Sequence, residues 1–128
     1  MAGAALTACA GEPDAPTDVG VCWREVLDKA GKPHFEVIAR NVANLDSCAA
    51  QIEGLHLQEQ RDVVGAYQSF FITADDASVS SSSTQNGFRY PIFLPGQRET
   101  IDAGLRKLID ENHGQAPTGK DLDIGRQQ

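Results

Sequence analysis

Val63-Val64-Gly65-Ala66-Tyr67-Gln68-Ser69-Phe70-Phe71-Ile72-Thr73 is the run whose reading decides the fold. It is dense in β-branched and aromatic residues, the types that fit a pleated, half-buried surface. Read as one uninterrupted strand, it is the strongest strand of the chain and the centre of a sheet. Successive side chains on a strand point to opposite faces. Phe70 and Ile72 then fall on one side, beneath helices, while Tyr67 and Phe71 fall on the other. Trp23, from an earlier strand, is expected beside that second pair.

Upstream, Val21–Asp28 and Pro33–Asn41 are strand-like runs joined by the polar turn Lys29-Ala30-Gly31-Lys32, a hairpin pattern. In the second run Phe35, Val37 and Ala39 alternate with His34, Glu36 and Arg40, and Ile38 breaks the alternation. Asn44 or Asp46 can cap a helix reaching to about Glu59, with Leu45, Cys48, Ala49, Ile52 and Leu55 as its apolar stripe. Downstream, Asp75-Asp76 makes a turn, Ala77–Ser81 is a partner strand, and Asn86-Gly87 is a further turn. Phe88–Leu94 is a last strand whose Pro91 favours an edge. A second helix over Gln97–Asn112 buries Ile101, Leu105, Leu108 and Ile109. Arg98, Asp102, Arg106 and Asp110 follow at i, i+4 on its solvent side. His113-Gly114 closes it.

These elements give the order ββ-α-βββ-α. The fold class is α+β: an antiparallel sheet of four to five strands with two helices on one face. One domain spans 21–114. Residues 1–20 read as a signal-peptide remnant and Pro-rich linker, and 115–128 as a flexible polar tail. The 128 residues suffice for one ordinary domain. The net charge of −7, from 18 acidic against 11 basic side chains, argues against nucleic acid as a partner, because that affinity rests on neutralising phosphates. No stretch approaches the roughly 20 apolar residues of a membrane-spanning helix.

Residues 1–10 are small and uncharged, and an acidic, Pro-rich stretch from Gly11 to Asp18 follows at once. Within this context Leu6-Thr7-Ala8-Cys9 resembles the lipobox of bacterial lipoproteins. That resemblance implies lipidation at Cys9 and anchoring on the periplasmic side of a bacterial membrane. Ala10, rather than Asp, implies the outer membrane. With Cys9 assigned to lipid, Cys22 and Cys48 remain as an even pair. A bridge between them suits an oxidising compartment and stabilises by roughly 3 kcal/mol in the chain-entropy picture. The alternative is two buried thiols.

Chemistry-bearing motifs are sparse. His34, His56 and His113 are scattered at or near surfaces without metal-ligand spacing, so no metal site is expected. Asp75-Asp76 lacks the rest of a calcium loop, no Gly-rich phosphate loop follows a strand, and the Ser80–Ser83 run has no nucleophile elbow. No catalytic residue and no cofactor is expected. The expected function is a cell-envelope lipoprotein acting as a non-catalytic binding or assembly module for an envelope protein, through Trp23, Tyr67 and Phe71. The alternative is a small-ligand or lipid-binding domain lined by the same aromatics. An enzyme would show itself as a cleft gathering Glu25, Glu36, His34 or Asp76 with shifted pKa values.

Overall fold

Six strands and two helices make up the described residues, 14–116, of the computed structural model. In chain order they are β1 (Cys22–Leu27), β2 (Pro33–Ala39), α1 (Leu45–Glu59), β3 (Val63–Tyr67), β4 (Phe70–Ala74), β5 (Val79–Ser82), β6 (Tyr90–Pro91) and α2 (Pro95–Glu111). The strands form one antiparallel sheet in the order β2-β1-β3-β4-β5-β6. The α+β class and the antiparallel sheet are as expected, and the sheet has one strand more. Cys9 and the terminal segments 1–13 and 117–128 lie outside the described residues.

The extra strand comes from the run Val63–Thr73. It is two strands: β3 and β4 fold back on each other through Gln68 and Ser69, both at positive φ (44° and 78°). Two central residues at positive φ are what a two-residue hairpin loop demands. The usual signal, Asn-Gly or Asp-Gly, is missing here. The reversal changes which residues share a face. Tyr67 now lies opposite Phe70, and Gly65 opposite Ile72. Tyr67 therefore faces the same way as Ile72, into the helix-side core, and not toward Phe71 as expected of a continuous strand. Its hydroxyl donates to the Val42 carbonyl at 2.7 Å.

The edge strands depart from expectation in smaller ways. In β2 the register shifts between the Trp23–Val37 and Cys22–Ala39 pairs. This bulge lets Ile38 and Ala39 both join the helix-side core, which accounts for the broken alternation. At the opposite edge β6 is only two residues long, consistent with Pro91 having no N–H to donate.

Helix α1 starts at Asn44, whose side chain accepts from the Ser47 N–H at 2.9 Å. It ends at Gln60, in the left-handed region with φ 56°. One side of α1 packs on the sheet, where Cys48, Ala49 and Ile52 meet Tyr67, Ile72, Ala74 and Val79. The disulfide Cys22–Cys48 joins β1 to the first turn of α1, with Cα atoms 5.4 Å apart. Arg24 of β1 reaches Glu59 at the far end of the same helix, Nη1 to Oε2 at 2.6 Å. That ion pair holds the Glu59 carboxyl below the ordinary range, chiefly through the Arg24 hydrogen bonds. The two links fix both ends of α1 over the sheet.

Gly65 marks the closest approach between these layers. A Cβ there would collide with the Ile52 side chain and sit 2.5 Å from the Trp23 carbonyl oxygen. Gly65→Ala is therefore expected to destabilise by about 1–3 kcal/mol, as overpacking does, read as a lower urea midpoint. Reducing Cys22–Cys48 is expected to lower stability by about 3 kcal/mol. Matched urea titrations of oxidised and reduced protein check this.

Candidate functional site

The three aromatics assigned to a partner surface are placed differently from one another. Phe71 and Trp23 do share the far face of the sheet, with Ala66, Val64 and Phe35. Phe35 and Phe71 lie with ring centroids 6.1 Å apart. That face is partly covered, with Phe71 and Ala66 buried and Trp23, Phe35 and Val64 half-buried. Ala15 packs onto the cluster, the Ser69 N–H donates to the Pro16 carbonyl at 2.8 Å, and the Gly20 N–H donates to Gln68 Oε1 at 2.7 Å. From the 83–89 loop, Gln85 Nε2 donates to Glu25 Oε1 at 2.8 Å. Phe71 is only 2% exposed, and Tyr67, on the opposite face, only 5%. Neither has surface to offer a partner in this conformation.

Exposed apolar surface lies elsewhere. Phe88 is 74% exposed, Tyr90 62% and Leu94 61%. They sit around β6, at the short edge of the sheet. Phe88 and Tyr90 meet edge to face with centroids 4.7 Å apart, a favourable aromatic geometry. A run that reads as an ordinary final strand thus delivers three large apolar side chains to solvent.

The polar chemistry gathers behind α1. A cleft of about 690 Å³ is lined by His56, Gln60, Asp76, Arg98, Asp102 and Arg106. Helix α2 supplies the arginines and Asp102, α1 supplies His56, and the β4–β5 turn supplies Asp76. Asp75 shapes that turn, its carboxylate accepting from the Ala77 and Ser78 N–H groups at 2.9 Å each. Burial raises the Asp75 carboxyl, but those hydrogen bonds and Arg89 outweigh it and hold it below the ordinary range.

Arg98 is the hub of this region. Its Nε and Nη2 donate to the two Glu53 oxygens at 2.7 and 3.0 Å, and Nη2 also donates to the Asp75 carbonyl at 2.6 Å. Glu53 is fully buried. Burial pushes its carboxyl up to about 7 against the pull of the Arg98 hydrogen bonds. Arg98 was expected on the solvent side of α2 and instead turns inward, because a buried carboxylate requires a paired, hydrogen-bonded cation.

His56 is likewise buried rather than at the surface. Its Nδ1 lies 2.7 Å from the Arg61 carbonyl, which can only accept, so Nδ1 carries the proton. Nε2 is left 3.4 Å from Asp76 Oδ1. Both ring nitrogens are thus engaged with the protein. The other sequence candidates are dispersed: Glu25 pairs in register with Phe35, and Glu36 with Arg24, so the two carboxylates do not face each other. His34 is exposed beside Glu36. Among the described residues, no three His, Cys, Asp or Glu side chains are grouped to hold a metal ion, and no helix is long and apolar enough to cross a membrane.

Nothing in the sequence singles out Glu53, and Arg98 reads there as a solvent-side charge. Glu53 sits four residues from Ala49 and one from Ile52, on a helix whose apolar stripe suggested a single buried face. Comparison with protein-family models, curated proteins and solved structures found no match to this chain.

Removing Arg98 strands a buried carboxylate. Arg98→Met is expected to cost about 3–5 kcal/mol where Glu53 is ionised. The loss should be smaller at pH 5.5 than at pH 8, because Glu53 escapes the unpaired charge by taking up a proton. The double variant Glu53→Gln/Arg98→Met should recover most of it. Urea midpoints at the two pH values measure all three.

Proposed function

We propose that the chain is a cell-envelope lipoprotein, anchored through Cys9 on the periplasmic side of a bacterial membrane, that serves as a binding or assembly module without catalytic chemistry. Its partner is another envelope protein. The observation that carries the reading is the exposed Phe88–Tyr90 ring pair, with exposed Leu94 four residues further along the chain. Ordered aromatic side chains at a protein surface are the residue types enriched at the centres of protein interfaces. The Cys22–Cys48 bond supports an oxidising compartment. The polar cleft supports binding over chemistry, since Arg98 is taken up by Glu53 and the turn carbonyls, and both His56 nitrogens face protein groups.

The alternative of a ligand pocket between sheet and helices has less support. Ile52, Ile72 and Cys48 are fully buried there, and Gly65 leaves no room even for a methyl group.

Two measurements in the native host test the proposal. Mass spectrometry of the mature N-terminus should find a diacylglyceryl-modified Cys9, and an unmodified Cys9 thiol would sink the anchor. A photo-crosslinking residue at Phe88 or Tyr90 should give one discrete envelope-protein adduct. The same residue at Glu36, exposed on the opposite sheet edge, should give none. Equal labelling at all three positions would remove the assigned surface.

A further inference from the structure

Helix α2 is attached to the rest of the protein at few points. Leu105 is its one buried residue, and Ile101 and Leu108 are partly buried beside it. Leu105 seats against Gly54 of α1, where an added Cβ would stand 3.6 Å from its Cδ2. The charged attachment lies in the first turns of α2, where Arg98 grips Glu53, and just past its end the Ala116 N–H donates to Gln58 Oε1 of α1 at 2.7 Å.

Asp102, one turn further along α2, belongs to the same cluster. Its Oδ2 is 3.9 Å from Arg98 Nε, and its side chain is 16% exposed. Its Oδ1 is buried and has no hydrogen-bond partner among the described residues. Two carboxyl groups therefore converge on one guanidinium, and one of their oxygens is left unsatisfied. A single positive charge does not neutralise two negative ones, and an orphaned buried acceptor is costly. A proton on Glu53, donated to Asp102, resolves both problems. It removes a negative charge and gives Asp102 Oδ1 a donor.

We propose that Glu53 holds a proton that it donates to Asp102 Oδ1, and that holding it keeps helix α2 closed over helix α1, so that α2 is a proton-dependent flap. The charged groups facing the cluster come from three elements. On α1, His56 follows Glu53 by one turn. On the β4–β5 turn, the Asp75 carboxylate is drawn to Arg89 at 3.2 Å and the Asp76 carboxylate lies 3.4 Å from His56. On α2, Arg106 lines the cleft beyond Asp102. Arg98 is the cation hydrogen-bonded to Glu53.

The direction of the effect follows from proton linkage. In the closed state burial, aided by Asp102, raises the Glu53 carboxyl to about 7, against an ordinary value of 4.5. Opening returns it to water and to the ordinary value. Between those limits opening releases a proton, so the opening constant rises roughly tenfold per pH unit and levels off above about pH 7. The flap is tightest in mild acid and loosest at alkaline pH. Opening would uncover the back of α1 around Gly54 and Leu57.

Amide hydrogen exchange on the full chain between pH 5.5 and 8, corrected for intrinsic rates, tests the flap. Amides of α2 should exchange faster than those of β3 at every pH and lose protection roughly tenfold per unit up to about pH 7. In Glu53→Gln the side chain no longer titrates, so α2 protection should become flat with pH. Carbon-13 carboxyl shifts of the unmodified sequence provide a test that needs no variant. Glu53 should titrate near 7, and Asp102→Asn should move it toward the ordinary range. A Glu53 midpoint near 4.5, pH-independent protection of α2, or exchange of α2 and β3 in concert would each overturn the proposal.

Discussion

Helix α1 runs between the sheet and helix α2, and nine of its fifteen residues are buried. A surface helix with one apolar stripe does not bury that many. The rest of the molecule is arranged to satisfy the two interfaces this creates. On the sheet side the solution is apolar and covalent: Cys48 bonds to β1, and Ile52 lies against Gly65 so closely that no Cβ fits there. On the back the helix carries Glu53 and His56, and the solution is polar.

The polar interface explains the form of α2. Once Glu53 is buried, its desolvation has to be offset by a cation with matching geometry, and Arg98 meets both oxygens at once. Arg98 also accommodates the carbonyl of Asp75, so a single side chain ties α2 to α1 and to the β4–β5 turn. Apolar burial along α2 is correspondingly slight. This division of labour places the strongest attachment of the helix under electrostatic control. It also sets the backbone position of the cleft, whose walls are the same residues.

The two faces of the sheet divide the remaining roles. The helix-side face takes the main core. The far face takes Trp23, Phe35 and Phe71, and residues 15–20 and the 83–89 loop cover it. That cover buries Phe71 and leaves Trp23 half-buried, while Tyr67 is buried on the opposite, helix-side face. Large exposed side chains lie instead at Phe88, Tyr90 and Leu94. The physical reason lies in β6, which pairs for two residues only and leaves its flanks to solvent.

Much of this architecture is legible along the chain. Periodicity places both helices, Asn44 caps the first, the Gly31 turn joins β1 to β2, and Pro91 marks an edge, because each depends on local geometry that a residue type imposes. The disulfide partners also follow from the sequence, once Cys9 is set aside. What lies beyond it depends on contacts between distant residues. Gln68 and Ser69 adopt positive φ without being glycine or asparagine, held there by the pairing of β3 with β4, and that turn sets the face of Tyr67. Arg98 reads as a solvent-side charge and nothing local singles out Glu53, 45 residues away, until the second interface of α1 buries Glu53 and calls Arg98 inward. Local propensity thus determined the elements and their order. Only tertiary packing decided the strand reversal, the facing of the aromatics and the buried charge cluster, since burial is a property of what an element lies against.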